Sequence, residues 1–228
     1  MGPVSAASEA EFVSWCVERG VRCEGLRYPA VSSAGERGVR AASRLRPGDE
    51  LVSVPTSLCL TLERALSDAT LGPHLAVEPA LRADADADGK IVTDYVLAAY
   101  LAHSRAHLDA SALAPWLRIL PDLDVLADWP DAELCALQDD ALAESARVRR
   151  AAYADIGARV VSALRGRAPD VFGDDFTVDL FVWGLKTVGA FFEGARSRVR
   201  AVSPPSAPSP SQVSLALFSL SVDELLML

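Results

Sequence analysis

The chain has few of the residues that staple small proteins or hold metals. Of 228 residues, four are cysteine and three are histidine. Cys16, Cys23, Cys59 and Cys135 are scattered, with no CxxC pair and no Cys/His cluster at zinc spacing. That pattern excludes a zinc finger or ribbon and reads as buried, reduced thiols in an intracellular protein. No apolar run is long enough to cross a bilayer, so no membrane partner is expected. The N-terminal stretch MGPVSAASEAEF lacks the apolar core of a secretory signal. It also misses the myristoylation pattern, because Pro3 follows Gly2 and Ala6 stands where Ser or Thr is needed. Positive charge is short as well: 22 Lys and Arg against 31 Asp and Glu leave a net charge of −9. A nucleic-acid binder needs cations for the phosphates, so none is expected as a partner. A basic protein partner, such as a lysine-bearing tail, suits the sign, and the expected location is cytoplasmic or nuclear.

Half of the residues are hydrophobic and 23% are charged, a globular composition able to bury a core in one large domain or two small ones. Ser8 opens an expected helix: S-E-A-E has the form of a capping box with Glu11 three residues on. Phe12, Trp15, Cys16 and Arg19 recur at helical spacing, and Gly20 ends the helix. Val21 to Val31 reads as an irregular strand. Gly38 to Leu45 and Glu50 to Val54 read as two strands joined by the turn Arg46-Pro47-Gly48-Asp49. Ser57 to Leu62 adds a short extended piece. Helical patterning follows. Thr93 to His107 carries Val96, Leu97, Tyr100 and Leu101 at helical period. Pro115 to Leu120 is a short buried segment with Trp116. Asp131 to Arg165 is an alanine-rich helix broken once or twice, and Thr177 to Phe192 puts Phe181, Leu185, Val188 and Phe192 on one side. Trp15, Trp116, Trp129 and Trp183 all sit in apolar periods and are expected in the core. Ser203 to Gln212 is Pro/Ser low complexity, a flexible linker. Beyond it Val213, Leu215 and Leu217 alternate as in a strand.

Three constellations are weighed against simpler readings. Asp84, Asp86, Asp88, Gly89 and Ile91 match the opening of a calcium-binding loop. Tyr95 stands where the bidentate Glu is needed, so a solvated acidic loop is expected. His103 and His107 share a helix face, but no acidic residue at metalloprotease spacing accompanies them, and a surface pair is expected. Arg147, Arg149, Arg150, Arg159, Arg165 and Arg167 form a basic run interrupted by Glu144, Asp155 and Asp170, which reads as a solvated face.

Four pieces in order carry a family resemblance. The first is Gly35-Glu36-Arg37-Gly38-Val39-Arg40-Ala41, followed by RPGDEL and VSVP. The second is Ala114-Pro115-Trp116-Leu117-Arg118-Ile119-Leu120-Pro121, similar to "W-x-x-Y-L-x-x-L-P". The third is Trp129 with Glu133-Leu134 and Leu137-Gln138, similar to "W…E-L…L-Q". The fourth is Phe181-Val182-Trp183-Gly184 with Val188, similar to "F-x-W-A-x-x-x-V". Together they resemble a SET-domain protein methyltransferase of the Rubisco large-subunit methyltransferase-like group, in which a helical insert splits the SET domain. The resemblance spans residues 10–200.

The resemblance implies an α+β protein: an N-terminal helix and the first part of a SET-like β unit over residues 8–65, a helical insert over 66–192, and a disordered linker and apolar tail over 193–228. It implies S-adenosylmethionine as cofactor and a protein substrate with a target lysine or histidine. The cofactor-binding candidates are Glu36, Arg37 and Gly38, with Arg198 beside Ser197 in a disturbed register. The departures matter equally. Only Gly38 remains of the family's G-x-G, and neither the Asn-His pair nor the tyrosine that lines the lysine channel is present. The resemblance therefore implies a C-terminally truncated member, inactive in this form, with no catalytic residue assigned. The alternatives are a non-catalytic protein-interaction module and an incomplete gene product.

Overall fold

The computed structural model describes residues 4–32, 37–46, 49–82, 92–121 and 123–202, with 191–202 as helix backbone only. In chain order the elements are α1 (Ala6–Glu18), β1 (Leu26–Val31), β2 (Arg37–Ala41), α2 (Leu62–Leu66), α3 (Gly72–Leu75), α4 (Thr93–Ala106), α5 (Ala114–Leu117), α6 (Asp131–Ala136), α7 (Asp140–Arg167) and α8 (Val178–Val202), with single 3-10 turns between them. The fold is mixed α and β, mostly helical, with one two-stranded sheet among the described residues. These residues form two compact units, one of 4–60, 112–121 and 194–202, the other of 61–111 and 123–193.

The N-terminal unit begins earlier than the capping box suggests. Ser5 is extended, and its hydroxyl accepts the Ser8 amide at 3.1 Å, so the cap is Ser5 and Ser8 is already helical. Gly20 ends the helix as expected. At φ +81° it lets the Gly20 amide reach the Val17 carbonyl and the Val21 amide reach the Cys16 carbonyl, both at 3.0 Å. This pairing closes a helix through a left-handed residue.

The expected hairpin between 38–45 and 50–54 does not form. β2 pairs antiparallel with β1, from Leu26 opposite Ala41 to Val31 opposite Arg37, with a slip between Arg27 and Ala30. Pro29, which has no amide to donate, lies in that slip. The 50–54 stretch contributes only an isolated bridge between Ser53 and Arg22. Strand alternation cannot name a partner, and the Asp49 carboxylate takes the Arg46 amide at 2.7 Å, closing that corner without a ladder. Pro47 and Gly48 lie outside the described residues. The expected extended piece 57–62 is instead a 3-10 turn, Thr56–Leu58, leading to Thr61, whose hydroxyl caps α2. The buried core of this unit joins Phe12 and Trp15 to Val39, Leu60, Trp116 and Leu117.

The helical unit is built round α4, where every residue from Val96 to Ala102 is buried, as expected of a helix surrounded by others. The alanine-rich region breaks once. Gln138 takes φ +55°, and Asp139 then caps α7 through the Leu142 amide. α8 runs past the expected end at Phe192, and Phe181, Leu185 and Val188 are buried as patterned. At Gly184 a Cβ would stand 2.5 Å from the Ala98 carbonyl oxygen, so α8 crosses α4 backbone to backbone. Of the four tryptophans only Trp15 and Trp116 are buried. Trp129 donates to the exposed Asp124 at 2.6 Å, and Trp183 lies under the Arg105 guanidinium at 4.1 Å. Both keep an accessible face because their neighbours are charged. Among the described residues no helix is long and apolar enough to cross a membrane. The acidic loop at Asp84, the Pro/Ser stretch and the apolar tail lie outside them.

Candidate functional site

The residues that carry the cofactor resemblance sit at the start of β2. Glu36 lies outside the described residues, and Arg37 and Gly38 open the strand. Alternation along a strand sends successive side chains to opposite faces, so Arg37 and Val39 share one face. The guanidinium of Arg37 donates to the Ile119 carbonyl at 2.7 Å and reaches the Glu9 carboxylate at 3.5 Å. This side chain is 24% exposed and that of Glu9 13%. One arginine thus ties β2 to α1 and to the stretch 112–121. A second tie runs parallel: Arg118 donates to Glu11 at 2.8 Å. The partners of Arg37 are 28 and 82 residues away, and no local signal announces them. Arg198 lies on the backbone of α8, and its side chain is outside what the structure describes.

Beside the sheet lies a groove of about 270 Å³. Phe12, Cys16, Leu26, Tyr28, Val39 and Val52 make it apolar, and Arg27 places one cation on it. Phe12 stacks with Trp15 and meets Tyr28 edge-on, each at 6.0 Å, which holds these rings at fixed angles. The Cys16 thiol is pushed up to about 12 by burial, with Cys23 adding to the shift and Arg19 opposing it. A thiol held protonated is no nucleophile, so Cys16 contributes apolar surface to the groove; Cys23, which also lines it, is an exposed thiol.

S-adenosylmethionine would bring a carboxylate, an ammonium, a sulfonium and a purine to this turn. The apolar groove suits a flat ring. Arg37, the described candidate able to meet the carboxylate, is already engaged by Glu9 and Ile119. Arg27, which lines the groove, is the other cation beside it, and no transfer step is assigned to these residues.

Two other clusters lie in the helical unit. The three histidines gather round Phe172. His74 and His103 meet its ring edge-on at 6.2 and 5.7 Å, and His107 stacks on His103 at 4.3 Å. His103 donates from Nε2 to the Val171 carbonyl at 3.2 Å, so it is half-buried rather than the surface residue expected. Burial, and then His107, hold its pKa below the usual value. Among the described residues no group of His, Cys, Asp and Glu could hold a metal ion. The basic run is also more than a solvated face. Arg147 pairs with Asp131 and Glu144, Arg150 donates to the carbonyls of Ala127 and Trp129, Arg165 meets Asp174, and Arg167 reaches the buried Glu78 at 2.7 Å. These arginines brace turns and helix ends.

No protein-family model matches the chain, and no curated protein matches it at a significant level.

Proposed function

We propose that the chain is a SET-like protein of the Rubisco-methyltransferase-like group, whose activity is S-adenosylmethionine-dependent methylation of a protein lysine. The observation that supports this reading is a junction. The first and second pieces of the resemblance lie nearly sixty residues apart, yet they fall in one compact unit, bonded from Arg37 to the Ile119 carbonyl at 2.7 Å. The residues between them, Thr61–Ser111, belong to the helical unit. A β unit split by a helical insert has this organisation. On this reading the cofactor lies along the turn at Glu36, Arg37 and Gly38, beside the apolar groove, and a basic protein substrate meets an acidic chain.

A second reading has its own observation. Arg37 is committed to Glu9 and Ile119, which makes it a brace rather than a ligand. That favours a non-catalytic module that binds a protein partner and keeps only the architecture of an enzyme. Calorimetric titration of the full chain with S-adenosylmethionine separates the two. Saturable one-to-one heat supports the methyltransferase reading. A folded sample that gives no heat overturns it and leaves the interaction module.

A further inference from the structure

The helical unit carries a second groove, of about 360 Å³, that neither reading uses. Its long wall is α7. Leu142 and Ala146 lie four residues apart and form apolar floor, while Ser145, Arg149 and Tyr153 repeat at the same spacing as a row of donors along one rim. α8 supplies the opposite side through Lys186, Gly189 and Ala190, and the turn at 125–127 closes one end. The floor rests on a packed cluster of Leu134, Ala143 and Ala146, with Leu126 and Trp129 against it, so the shape is held from behind.

The charges in this groove are of one sign. Lys186 is bonded to Asp128 at 2.5 Å. Arg149 is exposed and makes no ion pair among the described residues, unlike Arg147 and Arg150 on either side of it in the sequence. A guanidinium flanked one helical turn away on each side by a hydroxyl offers a planar fork with extra donors, the geometry that suits a carboxylate. Apolar walls with a few convergent polar groups are the usual form of a small-molecule site. Among the described residues nothing lies within 4 Å of where a Cβ at Gly189 would be, so there is room for a ligand over this stretch of α8.

We propose that this groove binds a small amphipathic acid, an apolar chain or ring system carrying one carboxylate. The carboxylate meets Arg149 between Ser145 and Tyr153, and the apolar body lies over Leu142, Ala146 and Gly189. The site is independent of the cofactor turn and of either reading of the function.

The test titrates the full chain with dodecanoate, read by displacement of anilinonaphthalene sulfonate, with dodecanol as the uncharged control. The expected result is saturable one-to-one binding of dodecanoate and weaker binding of dodecanol. Arg149→Ala, an exposed substitution, weakens dodecanoate by roughly tenfold. Gly189→Phe fills the groove and removes binding, with the melting temperature unchanged or raised because glycine is a poor helix residue. Absence of saturable binding, equal affinity for dodecanol, or unchanged binding by both variants would each overturn the proposal.

Discussion

Replacing Arg37 with alanine is the sharpest perturbation of the N-terminal unit. The side chain makes one charge-assisted bond to a backbone carbonyl and one ion pair, each to a different segment. Ile119 is 7% exposed, so the carbonyl left behind by Arg37→Ala has little access to water. A bond from a charged donor is worth about 1.5–3 kcal/mol, and an unpaired buried acceptor costs about 1–3 kcal/mol. The ion pair with Glu9 adds less than about 1 kcal/mol, because solvent still reaches Arg37. These are overlapping costs of one deletion, and we expect a loss of about 2 kcal/mol. Glu9→Gln, which spares the carbonyl bond, should cost under about 1 kcal/mol. Chemical denaturation followed by tryptophan fluorescence and by amide exchange of β2 measures both, exchange being needed because two units need not unfold together. If Arg37→Ala leaves β2 exchange and the midpoint unchanged, the brace is not there. If it abolishes cofactor heat without loss of stability, Arg37 is a ligand and the structural assignment is refuted.

At Gly184 an added Cβ would meet the Ala98 carbonyl oxygen at 2.5 Å. Gly184→Ala should therefore destabilise, overpacking costing about 1–3 kcal/mol against a helix-propensity gain of at most about 1 kcal/mol; an equal or higher melting temperature would refute the close crossing. Native protein titrated with a thiol-specific disulfide reagent should expose Cys23 and Cys135 at once and Cys16 and Cys59 only on unfolding, and four fast thiols would contradict the burial. His103, its pKa lowered first by burial and then by His107, with Asp175 and Asp68 opposing, binds its proton more readily in the unfolded chain. Its contribution to stability is therefore full above the ordinary value of 6.5 and is lost as pH falls from there through the lowered folded value. His103→Gln should flatten the melting temperature between neutral pH and about pH 5, above the range where ordinary carboxylates titrate, and parallel curves for the two proteins would sink this assignment.

The helices were the more legible part, for a physical reason. The period of Val96, Leu97, Tyr100 and Leu101 marks α4 as a helix, though its burial runs all round through Ala98, Ala99 and Ala102, and Gly20 marks a helix end because few other residues take φ +81° cheaply. The cap was harder: Ser5 and Ser8 offer the same chemistry three residues apart, and only the backbone geometry decides between them. Strand pairing was not legible. The stretches at 38–45 and 50–54 alternate alike, and β2 pairs instead with the preceding strand, from Val31 opposite Arg37 to Leu26 opposite Ala41; alternation alone does not choose between the two neighbours. The same holds at the candidate site. Arg37 and Gly38 were singled out by resemblance, but what Arg37 does is set by Glu9 and Ile119, which come from a helix and a distant segment. The histidines gather round Phe172 from α3 and α4, and their spacing in the sequence does not announce it.

The proposed function places S-adenosylmethionine beside the start of β2, at Arg37 and Gly38. Hydrogen-exchange mass spectrometry of the full chain, with and without S-adenosylmethionine, tests this most directly. The account predicts slower exchange confined to peptides covering residues 26–41 and 112–121. Protection only in α7 and α8, or no change anywhere in a folded sample, would contradict it.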